Sequence, residues 1–180
     1  MEELTANILF SGIGAQERGF MNSGLFKLDV LCTSDIDKDA TLSYAAIHCG
    51  LRPELLGDYR FPRRREMADH LKSINLGYDP KKNKEYDWDK LARRKSNDLE
   101  KYYLAAILSK NKGDISRIER LPKADFWTVS FPCTNISVAG RMKGLKPDSG
   151  TQSSLCGKIY VFLKEQRKMG SYQNICFLKM

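Results

Sequence analysis

Apolar and polar positions along the first 32 residues follow two periods, one typical of strands and one of helices. Short apolar runs at 8–10 and 28–32 predict buried strands. Residues 15–22 lie between them and predict a helix, with Gly24 as its C-terminal cap. The first run leads into a glycine-containing turn, so the pattern is strand, turn, helix and strand.

A second helix is expected directly after these elements. Asp37 can cap its N-terminus, and Gly50 marks its end. One face of this helix carries three apolar or aromatic side chains, Ala40, Tyr44 and Ile47. Strand and helix therefore alternate throughout the first 50 residues, as at the start of a doubly wound α/β sheet.

The alternation stops between residues 52 and 112. Prolines at 53, 62 and 80 and the lysine-rich stretch 81–84 predict surface loops. Asn97 and Glu100 form a capping-box pattern, and a helix is expected after them with an apolar face at Leu99, Tyr103, Ala106 and Ile107. We interpret 52–112 as a partly helical insertion in one domain that spans residues 1–180.

The last third of the chain predicts a return of the sheet. Asp114-Ile115 and the apolar run 125–131 are the expected strand positions. Ser153 or Ser154 can cap a helix with Leu155, Ile159, Phe162 and Leu163 facing inward. Gly170 would end that helix, and 174–178 predicts one more strand.

The composition is that of a soluble globular protein, with 42% hydrophobic and 29% charged residues in 180. No run of about 18 apolar residues occurs, and the N-terminus is acidic, so neither a membrane span nor a signal peptide is expected. Five cysteines, an odd number with no Cys-x-x-Cys, and two histidines argue against disulfides and against a metal site. These features predict a cytoplasmic protein without a metal.

Positive charge is concentrated in the insertion. Residues 52–112 hold 16 Lys or Arg against 10 Asp or Glu, which is +6 of the chain's net +8. Solvated helix faces explain such charge in many proteins. A surface that contacts phosphates is the alternative, and it would imply a polyanionic partner such as DNA.

A candidate ligand site follows the first strand. Gly12-x-Gly14 allows a ligand to approach the main chain at the start of a helix, and Asp35 lies 21 residues further on, after the second strand. An acid about 20 residues past such a turn accepts hydrogen bonds from ribose hydroxyls. A turn or cap role for Asp35 is the structural alternative. The spacing also admits NAD or flavin, although Ala15 leaves the three-glycine fingerprint incomplete.

The stretch 131–140 contains a candidate nucleophile. Cys133 directly follows Pro132, at the end of an apolar run, where open α/β sheets place their chemistry. Proline fixes the path of the chain there, and the Ser137 hydroxyl can hold a substrate. As a single residue, Cys133 could equally be a small, half-buried side chain.

Four motifs in order, at 10–14, 35–37, 113–115 and 131–133, resemble those of the DNA (cytosine-5) methyltransferases. The resemblance covers 7–50 and 113 to about 155. It implies a partial, Rossmann-like S-adenosylmethionine-dependent methyltransferase sheet with a basic insertion. It also implies an enzyme that transfers a methyl group from S-adenosyl-L-methionine to cytosine C5 in double-stranded DNA.

The resemblance assigns roles residue by residue. Cys133 is the nucleophile, Asp35 contacts the ribose and Asp114 the adenine amino group. The other cofactor-binding residues that it implies are Phe10, Ser11, Gly12, Gly14, Ile36 and Pro132. The DNA-binding residues that it implies are Ser137, Arg141 and Lys143.

The sequence departs from the family at three residues and in one missing motif. Asp35 stands where the family has Glu, Thr134 where it has Gln, and Gln152 where it has Arg. The Glu-Asn-Val motif expected after the last strand is absent, which predicts the N-terminal half of a catalytic domain of the bacterial or phage restriction-modification kind. A split enzyme with a second polypeptide, an inactive remnant and a DNA- or cofactor-binding module are the alternatives.

Overall fold

The computed structural model describes residues 2–130, 155–168 and 174–177. The chain divides into two compact units. The first contains residues 1–10, 16–32 and 118–180, and the second contains 11–15 and 33–117. The predicted insertion, 52–112, lies inside the second unit, and its status as an insertion in one domain stays a prediction.

The first unit holds a sheet and two helices. In chain order its elements are β1 (Glu2–Leu9), α1 (Ala15–Asn22), β2 (Phe26–Ser34), β3 (Phe126–Val129), α7 (Leu155–Lys168) and β4 (Asn174–Phe177). The strand order is β2-β1-β3-β4, and the β1–β3 and β3–β4 pairs are parallel. A parallel sheet with helices confirms the predicted α/β, Rossmann-like class.

The register of this sheet aligns the carboxyl ends of three strands. Leu9 pairs with Val129, and Val129 pairs with Phe177. The carboxyl ends of β1 and β3 therefore lie at the same edge of the sheet. The carboxyl-terminal half of β1 and most of β3 are buried, with Ile8, Leu9, Trp127 and Val129 at 0% exposure, as expected of parallel strands covered on both faces.

The second unit is helical, apart from the end of β2. Its elements are α2 (Lys38–His48), α3 (Leu55–Asp58), α4 (Arg64–Ser73), α5 (Trp88–Ala92), α6 (Asp98–Leu108) and a 3₁₀ turn at Ile115–Arg117. A cluster of buried side chains from the basic segment forms its core: Met67, Ala68, Leu71, Leu76, Trp88, Leu91, Leu99 and Ala106. The segment between 52 and 112 is thus a packed structure with charged residues on its surface.

Several predicted elements are confirmed. Helix α1 has the predicted bounds, and Gly24 follows it with φ +67°. Asp37 caps α2, since its side chain accepts hydrogen bonds from the N–H groups of Asp39 and Ala40. In α7, Ile159 and Phe162 are buried, as the apolar pattern predicts.

Other predictions are wrong. Both β1 and β2 are longer than the apolar runs that predicted them. The additional residues include polar ones, which an apolar pattern does not detect. Tyr44 is buried as predicted, but Ile47 is 53% exposed, and Thr41 and Ala45 complete the buried face of α2. Asn97 precedes α6 without a side-chain capping bond. Asp114-Ile115 is not a strand, since a 3₁₀ turn begins at Ile115.

Some predictions concern residues outside the described ranges, namely Ser153, Ser154, Gly170 and Leu178. Within the described ranges, no helix is both long enough and apolar enough to cross a membrane.

Candidate functional site

The candidate site of the second unit begins with a tight turn at residues 11–14. The Gly14 N–H donates to the Ser11 carbonyl oxygen at 2.9 Å, which closes the turn. The Ser11 N–H donates to the Ser34 carbonyl at 3.1 Å, and this bond fixes the turn beside the end of β2. Ser11 is 7% exposed. The turn is therefore held by main-chain bonds at its start and at its end.

The two glycines of this turn have different requirements. Gly12 (φ +52°) and Gly14 (φ +82°) both occupy the left-handed region that favours glycine. A Cβ at Gly14 would overlap the His48 ring, whose Nε2 lies 3.2 Å from the Ile13 carbonyl oxygen. A Cβ at Gly12 would meet no atom of the described residues within 4 Å. Gly14 is needed for packing, whereas Gly12 leaves open space at its Cα.

Asp35 connects the glycine turn to the start of α2. Its Oδ2 accepts from the Gly12 N–H at 2.7 Å, and its Oδ1 accepts from the Asp37 N–H at 2.8 Å. Burial raises the pKa of the Asp35 carboxyl, and the N–H groups of Asp37 and Gly12 offset part of that effect. The turn role that was the alternative for Asp35 is real, but it leaves acceptor positions on both oxygens.

A buried amide, Asn111, lies behind Asp35. Its Oδ1 accepts from the N–H groups of Asp35 (3.1 Å) and Gly113 (2.8 Å). Its Nδ2 donates to the Asp35 carbonyl at 3.1 Å and to Thr41 Oγ1 at 2.9 Å. One side chain therefore joins the end of β2, helix α2 and the segment that leads to Asp114.

Asp114 is the second carboxylate of the site, and it is held just as firmly. Its Oδ2 accepts from Asn75 Nδ2 at 2.7 Å, and its Oδ1 accepts from the N–H and the hydroxyl of Ser116. Gly113 precedes it with φ +69°, and any Cβ there would overlap the Ile74 carbonyl. The 3₁₀ turn after Asp114 explains why this position is not a strand.

Two more predicted cofactor-binding residues are Phe10, directly before the glycine turn, and Ile36, directly after Asp35. Phe10 follows β1 with φ +55°, an unusual conformation for a bulky side chain, and such strain is concentrated at functional sites. Ile36 accepts a hydrogen bond at its carbonyl from the Gly77 N–H at 2.7 Å. The main chain on both sides of Asp35 is thus fixed by neighbouring segments.

The second half of the predicted site lies outside the described residues. This applies to Pro132, Cys133, Ser137, Arg141 and Lys143. In sequence, Cys133 is four residues beyond Val129, the last residue of β3. Within the described ranges, no cluster of three or more His, Cys, Asp or Glu side chains could hold a metal ion.

Two residues of the site, Asn75 and Asn111, were not predicted from the sequence. Both are 5% exposed, and each lies just after a helix, where the chain has a left-handed residue. After α4 that residue is Asn75 itself (φ +56°), and after α6 it is Lys110 (φ +51°), the residue before Asn111. The Asn111-x-Gly113 spacing is typical of an Asx turn, in which the side chain accepts from the N–H two residues on. That signal was available in the sequence.

Three comparisons bear on the family. A family model described as C-5 cytosine-specific DNA methylase matches residues 85–167, a range that contains Cys133 and begins inside the basic segment. The Type II methyltransferase M2.ScrFI of Lactococcus lactis subsp. cremoris is 42% identical over an alignment of 155 residues, which covers 83% of this chain and 41% of that protein. The orphan methyltransferase M.SssI of Spiroplasma monobiae is 32% identical over 155 residues, covering 83% of this chain and 39% of its own length.

A parallel α/β sheet, a glycine turn tied to an acidic residue after β2, and these matches define an α/β methyltransferase. The chain belongs to the C-5 cytosine-specific DNA methylases, the DNA (cytosine-5) methyltransferase family. It spans about two fifths of the length of the curated relatives that it matches.

Proposed function

We propose that this chain contributes the cofactor site and the nucleophile of a DNA (cytosine-5) methyltransferase. The observation that carries the proposal is the Asp35 carboxylate, which is fixed by the Gly12 and Asp37 N–H groups beside a glycine, Gly12, whose Cα no described residue crowds. An anchored carboxylate next to an open glycine suits a ligand with vicinal hydroxyls. Membership of the family supports S-adenosylmethionine as that ligand.

The site residues suit S-adenosylmethionine in three respects. A carboxylate has about four acceptor positions. Asp35 accepts from the Gly12 and Asp37 N–H groups, and the Ile36 N–H also lowers its pKa, so ribose hydroxyls can donate to the remaining acceptor capacity. Asp114 uses three and keeps one for the adenine amino group. Phe10 contributes an aromatic ring next to the turn in sequence. The cofactor, when bound, supplies the methyl group.

In this proposal Cys133 performs covalent catalysis on cytosine. Its thiolate forms a bond to C6, and the electron pair of the C5–C6 double bond becomes available at C5 for methylation. Loss of the C5 proton then expels the thiolate and restores the double bond. The bond to sulfur divides one difficult step into easier ones. The target base must leave the duplex to reach the thiol, and Ser137, Arg141 and Lys143 are the proposed DNA contacts near it.

The basic segment offers a second place for DNA. A surface groove of about 420 Å³ is lined by residues between 77 and 94. Most of the lining side chains are cations or acids, and Tyr86 and Leu91 also contribute. Its acids are engaged: Asp79 with Lys82, Glu85 with Arg117, and Asp87 with the N–H of Lys90. Three cations of the groove, Lys84, Lys90 and Arg94, have no acidic partner within the described structure. We assign them to the phosphates of DNA.

The biological setting belongs to the same proposal. The Lactococcus lactis relative is named a Type II methyltransferase, which supports a restriction-modification role in the bacterial or phage-infected cytoplasm. A second polypeptide that supplies further parts of the enzyme is also proposed, because relatives of the chain are more than twice as long as the matched region.

Duplex DNA containing 5-fluorocytosine tests this function, since fluorine at C5 prevents the final elimination and traps the adduct. We expect the adduct when the chain is mixed with S-adenosylmethionine and with the part of the Lactococcus lactis relative outside the matched region. The chain alone should give none. Cys133→Ser should abolish the adduct, and Cys49→Ser, a change at another cysteine of the chain, should leave it intact. An adduct that survives Cys133→Ser would contradict the proposal.

A further inference from the structure

The Asn111 side chain is bonded to both segments that carry the candidate ligand-binding carboxylates. It holds the N–H and the carbonyl of Asp35, and it holds the N–H of Gly113, the residue before Asp114. We propose that Asn111 is a positioning residue, which sets the relative placement of the Asp35 and Asp114 carboxylates for an adenosine-containing ligand. This inference rests on the function proposed above.

The geometry gives Asn111 a single orientation. An amide oxygen accepts two hydrogen bonds and an amide nitrogen donates two, and all four are used here, the fourth by Thr41 Oγ1 of α2. The end of helix α6 fixes the main chain of Asn111, since the Asn111 N–H donates to the Ala106 carbonyl at 2.9 Å. Rotation of the side chain would therefore break several buried bonds at once.

Asn111 acts on the Asp35 main chain and does not touch its carboxylate. The carboxylate is bonded to Gly12 and Asp37, and those two bonds survive the loss of Asn111. Without Asn111 the Asp35 peptide groups lose their partners on both sides, so the carboxylate and the glycine turn are free to shift together. The consequence for a ligand should therefore depend on the Asp35 carboxylate being present.

A double-mutant cycle on ligand affinity separates positioning from general destabilisation. The full chain is titrated with adenosine and followed by NMR, which measures weak binding. We expect Asn111→Ala and Asp35→Ala each to weaken adenosine at least tenfold, and the double variant to be little weaker than either. Affinity for 2′,3′-dideoxyadenosine should change far less. Independent losses that multiply in the double variant would overturn the proposal.

Ser109→Ala is the matched control. Ser109 is also buried and also lies at the end of α6, but its hydroxyl donates to the Ala105 carbonyl within its own helix. This variant should lose stability without losing adenosine affinity. If Asn111→Ala does not fold, Asn111→Ser takes its place, because its hydroxyl keeps a donor and an acceptor in the buried site.

A measurement without ligand separates this inference from the proposed function. The pKa of the Asp35 carboxyl is raised by burial, and it can be followed by carbon NMR in the free protein. In Asn111→Ala it should fall toward its ordinary value, and in Ser109→Ala it should stay raised. Failure of the wild-type chain to bind adenosine would contradict the proposed function alone. An Asp35 pKa unchanged by Asn111→Ala would overturn the positioning role whether or not the ligand binds.

Discussion

Arg64, at the start of α4, forms an ion pair with Glu100 of α6, and the rest of its guanidinium donates to main-chain carbonyls. The four acceptors belong to Leu91, Ala92, Arg94 and Ser96. One side chain thus joins α4, the end of α5 and the loop before α6. The Arg64 guanidinium therefore holds the basic segment together.

Replacement of Arg64 should therefore affect stability. Arg64→Ala removes five hydrogen bonds and leaves Glu100, which is 15% exposed, without its cation. We expect a loss of about 2–3 kcal/mol in the free energy of unfolding, measured by urea denaturation. Arg65→Ala, a change at the exposed neighbour, should stay within about 0.5 kcal/mol of wild type. Equal effects of the two variants would contradict the structural role of Arg64.

The groove cations should carry the salt dependence of DNA binding. A variant with Lys84→Gln, Lys90→Gln and Arg94→Gln removes three proposed phosphate contacts. The slope of log affinity against log salt should become shallower by about 2.7, or 0.9 for each contact. Fluorescence anisotropy with duplexes of unrelated sequence measures this slope and should show the same change for each.

A control with the same change of net charge uses lysines that already form ion pairs. Lys27 pairs with Glu3, Lys72 pairs with both Asp69 and Asp89, and Lys101 pairs with Asp98. Their replacement by Gln should leave the salt slope much closer to that of wild type. If both triple variants lower the slope equally, binding depends on overall charge and the groove has no special role.

The different surroundings of Gly12 and Gly14 predict different costs for alanine. Gly12→Ala should lose about 1–2 kcal/mol of stability from its positive φ alone. Gly14→Ala adds an overlap with His48, for which overpacking costs about 1–3 kcal/mol more. His48→Ala should recover much of that additional loss in the Gly14→Ala background. Thermal unfolding of wild type, Gly14→Ala, His48→Ala and the double variant measures the coupling between the two positions. Additive losses of stability would show that the His48 ring can move aside.

Much of the α/β frame could be predicted from the sequence because its signals are local. The helix at Ala15–Asn22 and the Asp37 cap depend on residues within one or two turns of each other. The exposure of Ile47 could not be predicted, because the buried side of α2 is decided by contacts with α6, far along the chain. Helical periodicity in the sequence predicts which side of a helix is apolar, but it does not identify the element that packs against the helix.

The candidate site divides in the same way. Gly12 and Asp35 follow a known spacing, and the structure joins them directly. Asn111 is separated from Asp35 by 76 residues, most of them in a segment whose helices α4 and α5 were interpreted as loops. Prolines and lysines suggested exposure there, while the buried cluster around Trp88 depends on apolar residues spread over 40 positions.

The raised pKa of Asp35 predicts how ligand binding and stability depend on pH. Burial keeps the folded-state pKa above the ordinary 3.8, so the folded protein holds this proton longer than the unfolded chain does. Stability from this group is therefore greatest below pH 3.8 and falls as the pH rises through the folded pKa. Affinity for adenosine runs the other way, since the acceptor for the ribose is the ionised carboxylate.

We expect adenosine affinity to be constant above the Asp35 pKa and to approach a loss of about tenfold per pH unit below it. Asp125 is an internal reference, since hydrogen bonds from Thr5 lower its pKa and it should titrate first from the acid side. Carbon NMR follows the titration of both carboxyl groups. Adenosine affinity is measured in parallel between pH 3.5 and 7.5, in steps of roughly half a pH unit. Asp35→Asn should bind weakly at every pH without this inflection. An inflection that persists in Asp35→Asn would assign the titration to another group.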